Sequence, residues 1–207
     1  VQEDVGITLL MKSKKMKPLD SLRSNDGYPL GLLNPGIFGL CPMQQTTEAF
    51  TPDESHAVIT FFRNRGSLDG VPFSIWNQEG LVGNLSSGTR FQDRVTAGKH
   101  LYLVNSKDYQ VLEADVEAGK NYYVRMSVGR KWPSPGAKLE PIKSGAEGVN
   151  IDSWMKQTIP VAWGSSESID DTVAVRLDAA GPLLKQAFAG AASGTVEVQN
   201  LEAGDFR

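Results

Sequence analysis

The chain has 207 residues, of which 40% are hydrophobic and 22% charged, and its formal net charge is −3. This is an ordinary globular composition, long enough for one large domain or a medium domain with an appendage, and able to bury a core without metal or disulfide. With 21 Lys and Arg against 24 Asp and Glu, the chain lacks the basic excess of a nucleic-acid binder. No stretch of about eighteen apolar residues marks a membrane helix. One cysteine excludes an internal disulfide and a multi-cysteine metal cage, and two histidines leave little material for acid–base or zinc chemistry.

Residues 1–52 read as an extended N-terminal arm. Val5-Gly6-Ile7-Thr8-Leu9-Leu10-Met11 has the makings of one strand. The lysine-rich stretch Lys12-Ser13-Lys14-Lys15-Met16-Lys17 follows, then the turn signals Asn25-Asp26-Gly27-Tyr28-Pro29 and Asn34-Pro35-Gly36. Its four lysines are at the low end for a lipid-binding cluster, and the run reads as a solvated surface. Cys41 follows Phe38-Gly39-Leu40 and not the long apolar stretch and small residue of a lipid-attachment site. It therefore reads as a buried or half-buried free thiol.

Residues 53–145 carry a different pattern. Glycines at 70, 80, 88, 98, 119 and 129 punctuate runs of β-formers at 57–63, 72–77, 81–85, 89–95, 99–105, 109–116 and 121–128. Short strands with turn signals every eight to twelve residues predict an all-β sandwich or barrel. Tyr122, Val124, Met126 and Val128 alternate with Tyr123, Arg125 and Ser127, and Leu112, Ala114 and Val116 alternate with Val111, Glu113 and Asp115. This half-wet alternation is that of antiparallel sheets. Val95-Thr96-Ala97-Gly98-Lys99-His100-Leu101-Tyr102 is echoed by Val116-Glu117-Ala118-Gly119-Lys120-Asn121-Tyr122-Tyr123. Both copies put Gly between two strands, where a positive φ is expected.

From 146 to 207 the period becomes helical. Ile151, Trp154, Met155 and Ile159 predict a helix ended by Pro160. Ser168-Ile169-Asp170-Asp171 has the form of a capping box with Asp in place of Glu or Gln. Ile169, Val173, Leu177, Ala180, Leu184, Ala187 and Phe188 trace one helical face, with Pro182 marking a kink or the first turn of a second helix. The rival reading makes 172–177 a strand. Residues 195–198 read as a final strand and 202–207 as a frayed end.

Candidate chemistry is sparse. His56 and His100 belong to no nucleophile motif, and no G-x-S-x-G occurs. Cys41, His56 and His100 lack zinc-ligand spacing. Glu167, Asp170 and Asp171 lack the alternating carboxylates of a calcium loop and fit the positive end of a helix better. Asn84-Leu85-Ser86 matches a glycosylation acceptor only by chance. The expectation is therefore no catalytic residue, no metal and no cofactor. Binding candidates are the stiff loop Trp132-Pro133-Ser134-Pro135-Gly136, with Arg130 and Lys131 just before it, and Trp76 as second choice. The competing reading makes Trp132 a cap on the core and places Trp76 under the C-terminal helix.

Residues 57–128 resemble a bacterial family, domain-of-unknown-function family 2846. The resemblance rests on Ala57-Val58-Ile59-Thr60-Phe61-Phe62-Arg63, Val82-Gly83-Asn84-Leu85, Gly88-Thr89-Arg90-Phe91, Ala97-Gly98-Lys99-His100 and Ala118-Gly119-Lys120-Asn121-Tyr122-Tyr123-Val124. It covers about a third of the chain and implies an antiparallel β-sandwich in an exported protein or lipoprotein of a Gram-negative cell, with no catalytic residues to carry over.

The fold expected is thus mainly β: an antiparallel β-sandwich in the prealbumin-like style, with a helical C-terminal extension packed on it. The function expected is a non-catalytic binding or assembly module of the cell envelope, with a protein or glycan partner, no nucleic acid and no membrane span. The alternatives are a hydrolase using a carboxylate, His56 or His100, and a structural domain of an appendage. Periplasmic or cell-surface location is expected from the resemblance, the scarcity of cysteine and a chain that opens Val1-Gln2-Glu3-Asp4 without Met.

Overall fold

Alternation sets the strands, and the turn glycines separate them. In the computed structural model, which describes residues 43–66, 71–104, 110–129, 136–146, 148–163, 181–182 and 184–207, every run expected between 57 and 128 holds a strand. They are β2 (His56–Arg63), β3 (Phe73–Asn77), β4 (Leu81–Leu85), β5 (Thr89–Thr96), β6 (Gly98–Val104), β7 (Gln110–Val116) and β8 (Asn121–Gly129). A short β1 (Gln44–Gln45) precedes them and β9 (Gly136–Pro141) follows. Then come helix α1 (Ile151–Gln157), β10 (Ile159–Ala162), helical backbone at 181–182 and 184–192 (α2), β11 (Val198–Leu201) and a 3-10 turn, η1 (Ala203–Asp205).

The strands form two sheets, ordered β1-β10-β5-β2-β8-β9 and β11-β7-β6-β3-β4. The protein is mainly β, and its architecture is consistent with a β-sandwich. Phe61 and Phe91 of the first sheet stack at 5.2 Å, and Tyr102 of the second meets Phe61 edge-on at 5.0 Å. One apolar core thereby spans both sheets, joined by Ile59, Ile75, Leu112, Tyr122, Val124 and Leu139. Tyr122, Val124 and Met126 are buried as their alternation predicts.

The pairing differs from the expected antiparallel scheme at three joins. β2 pairs with β8, β10 with β5 and β11 with β7, all in parallel. The reason lies in the connections: the chain leaves the first sheet between β5 and β6 and returns between β7 and β8, so β8 meets β2 running in the same direction. The segment after 146 also departs from the helical expectation. It holds α1 and α2, but it lends β10 to one sheet and β11 to the other. The final strand begins at Val198 instead of 195. The choice between helix and strand at 172–177, and the capping box at 168–171, lie outside the described residues, as do Cys41, the lysine run at 12–17 and the rest of the arm up to residue 42.

Both helices cover outer sheet faces. Trp154 of α1 packs on Phe62 at 5.2 Å, and the Arg125 guanidinium lies 5.6 Å from the Trp154 ring. α2 places Leu184 and Ala187 on Trp76, Leu103 and Val111, which form a second core. The N-terminus of α1 is capped by Asn150, whose side-chain oxygen accepts from the Ser153 amide at 2.8 Å.

The sheet margins are closed by side chains. The Leu139 amide of edge strand β9 donates to the buried Gln110 side chain at 2.8 Å. Edge strand β4 is met by Trp163, which donates to the Val82 carbonyl at 2.9 Å, and by the Met43 sulfur, 3.1 Å from the Asn84 amide. On edge strand β11, Lys143 donates to the Asn200 carbonyl at 2.8 Å.

Two motif residues have clear structural reasons. Arg63 is buried, donates to the Val71 carbonyl at 2.6 Å and lies 5.3 Å from the Phe73 ring. Gly83 allows the Phe91 ring to lie against the β4 backbone, since a Cβ there would stand 2.8 Å from ring carbons. Gly83→Ala is expected to destabilise the protein by about 1–3 kcal/mol, the usual cost of overpacking. A urea denaturation midpoint indistinguishable from that of the native chain would show that Phe91 moves aside freely.

Candidate functional site

Gly98, at φ 125°, turns the chain from β5 in one sheet to β6 in the other. The matching Gly119 has φ 77°, so both echoed turns use the left-handed backbone that glycine tolerates. The tight corner at Gly98 brings the ends of β5 and β6 beside the β3–β4 turn. That turn is fixed by Asn77, whose side-chain oxygen accepts from the Glu79 and Gly80 amides at 2.8 Å each. Between them lies a polar cleft of about 270 Å³, lined by residues that include Asn77, Glu79, Asp93, Arg94, His56 and His100.

Asp93 sits opposite Ile59 in the β2–β5 register, on the face that Phe91 turns toward the core. Burial raises its pKa, and the nearby Glu79 charge adds to the rise, against lowering by the Tyr102 hydrogen bond and by His100. Tyr102 donates its hydroxyl to Asp93 at 2.8 Å. Burial first, then the Asp93 charge, pushes the Tyr102 phenol well above its ordinary value. The pair thus keeps its proton on Tyr102 and presents Asp93 as a desolvated carboxyl at the cleft wall.

The histidines are fastened by local bonds. His100 Nε2 lies 2.8 Å from the Thr96 carbonyl, so that nitrogen carries the proton and donates it. His56 Nδ1 meets both the Ser55 hydroxyl at 2.7 Å and the Asp53 carboxylate at 3.0 Å. A Ser-His-Asp triad needs serine on one ring nitrogen and the carboxylate on the other. Here both crowd the same nitrogen, and the Ser55 hydroxyl also binds Asp53 directly at 2.9 Å. The cluster is a loop brace. The Ser55 amide, then His56 and Arg94, hold the Asp53 carboxyl far below the usual carboxylate range.

The residues singled out by sequence fall elsewhere. Trp76 is only 1% exposed and packs beneath α2, the position that the packing alternative gave it. Arg130, Lys131 and Trp132 lie outside the described residues. Sequence reading passed over Asp93, Glu79 and Asn77. One signal was present: Phe91, Asp93 and Val95 share a strand face, and a carboxylate there interrupts an otherwise apolar row. Among the described residues, no three His, Cys, Asp or Glu side chains converge as a metal site requires. No helix among them is long and apolar enough to cross a membrane.

No protein-family model matches the chain, and comparison with curated proteins finds no match.

Proposed function

We propose that the protein is a non-catalytic binding or assembly module of the bacterial cell envelope, exported to the periplasm or cell surface. Its sandwich is of the prealbumin-like style, and its resemblance to domain-of-unknown-function family 2846 reflects a shared domain. The observation that supports binding is the polar cleft at the β5–β6 corner, where amide, carboxyl and guanidinium groups converge from separate turns. Such a lining suits the hydroxyls of a glycan or the polar backbone of a protein partner. Both histidines are committed to local braces, which favours recognition over turnover. The Trp132 loop, with Arg130 and Lys131, is the second contact surface in this reading.

Glycan arrays and pull-downs with the whole chain test the proposal. Glu79→Ala is expected to weaken the captured partner by about tenfold, the loss of roughly one charge-assisted hydrogen bond, with no change in Tm. Trp132→Ala should act the same way. A partner whose capture is indifferent to both substitutions would remove the two surfaces from the account. Fractionation of cells making the full gene product tests export, and confinement to the cytosol would refute it.

One observation favours a hydrolase as the second reading: Asp93, with a raised pKa, shares the cleft with Glu79 and His100. Turnover of generic ester, phosphate or glycoside substrates, abolished by both Asp93→Asn and His100→Ala, would establish it in place of the binding reading.

A further inference from the structure

β10 stays with β5 for two residues only. Ile159 pairs with Thr89 and Pro160 with Arg90. Beyond them β10 turns away to pair with β1, Val161 opposite Gln45 and Ala162 opposite Gln44. The two strands therefore fork, and the arm at 46–50 lies over the opening, with the Phe50 amide donating to the Gln92 side chain at 2.8 Å. In the fork lies a groove of about 360 Å³, within the usual size range of small-molecule sites. Its apolar walls are Met43, Phe50, Val82, Phe91, Val161 and Trp163.

One cation stands in these apolar surroundings. Arg90 lines the groove, and its Nη1 donates to the Met155 carbonyl at 2.6 Å and to the carbonyl and hydroxyl of Thr158. Those bonds hold the guanidinium plane in place. Among the described residues, its Nε and Nη2 have no acceptor, and no carboxylate ion-pairs with it. Glu48 is at the rim of the groove but forms no ion pair with Arg90. A guanidinium edge that no described residue occupies is a fork for two carboxylate oxygens, and a partly desolvated cation with no ion pair among the described residues gains most from an anion. Phe50, 54% exposed at the mouth, gives the apolar part of a ligand a wall that nothing else in the described chain covers.

We infer that the fork between β5 and β10 binds a single-chain carboxylate amphiphile, a free medium-chain fatty acid, with the carboxylate on Arg90 and the chain along Phe50, Val82 and Trp163. One positive charge in an apolar groove matches one negative charge on an apolar tail. A neutral chain of the same length leaves the guanidinium N–H groups unpaired. An added peptide strand fits less well, because the arm already lies over β5 through the bond from Phe50 to Gln92.

Titration calorimetry of the whole chain with decanoate, below its micelle concentration, and with neutral decanol tests this. Saturable one-to-one binding of decanoate is expected, at least about tenfold tighter than decanol, as one bidentate charged contact implies. Arg90→Met should erase that preference. Should Arg90→Met fail to fold, Ala49→Trp decides, because Ala49 is an exposed position on the rim. Its indole should block the mouth and weaken both probes by about tenfold or more, with an unchanged Tm. The assignment is overturned if decanoate shows no saturable binding, if decanol binds equally well, or if Ala49→Trp leaves decanoate affinity unaltered.

Discussion

Trp76→Ala is expected to cost about 3–5 kcal/mol, the range for truncating a buried aromatic side chain. Trp76 is 1% exposed and is the largest residue in the second core, where α2 meets the outer face of β3, β6 and β7. Its removal leaves Leu184 and Ala187 facing a void and unseats α2 from the sheet. Urea denaturation should show the loss, and limited proteolysis should cut near 184–192 faster than in the native chain. A variant as stable as the native chain, but impaired in ligand capture, would return Trp76 to the role of a contact residue.

The second large effect is expected at Asp205. It is 7% exposed and accepts from Lys143 Nζ at 2.8 Å, the Glu202 amide at 2.8 Å and the Ser144 amide at 3.3 Å. Asp205→Ala leaves the Glu202 and Ser144 amides without their acceptor and Lys143 with the Asn200 carbonyl in place of two hydrogen-bond partners, at a cost of about 2–3 kcal/mol. Burial alone would raise the Asp205 pKa, but Lys143 and the two amides outweigh it and the carboxyl lies below its ordinary value. Its stabilisation is therefore complete above the unfolded carboxylate value near ~4 and fades as pH falls through the lower folded value. The stability difference between native chain and variant should be flat from neutrality to about pH 5 and should shrink below about pH 4. A difference that grows on acidification would contradict this.

That same residue shows what one-dimensional reading misses. Glu202–Arg207 is short, polar and terminal, and its composition reads as frayed. In the fold, η1 is tied by Asp205, the Tyr122 hydroxyl donates to the Ala203 carbonyl at 2.9 Å, and the Arg207 amide donates to the Asn121 carbonyl at 3.0 Å. Apart from the Glu202 amide, those partners lie far off in sequence. β2 to β8 were legible because alternation and turn glycines are local signals. β9 was hidden because Gly136–Pro141 is brief and follows a proline-rich stretch of sequence. β10 was absorbed into the helix because Ile159 falls four residues after Met155. Yet Thr158 already has extended backbone, at φ −112° and ψ 141°, and the chain enters the sheet there. The polar cleft was illegible as a unit, since its residues come from the starts and ends of separate strands. Only the misplaced charge at Asp93 hinted at it.

The closed margins of the two sheets bear on how the protein behaves at high concentration. A bare strand edge is a template on which another chain can add hydrogen bonds, and runaway addition gives fibrils. Here the Gln110 side chain occupies the Leu139 amide, Trp163 the Val82 carbonyl and Lys143 the Asn200 carbonyl. The outermost strand on the remaining side, β1, is two residues long. An incoming strand would first have to break a bond that the folded chain already makes, or find purchase on a stub. These few side chains therefore insulate an aggregation-prone architecture from its own copies, even though three of them lie far in sequence from the strand they protect.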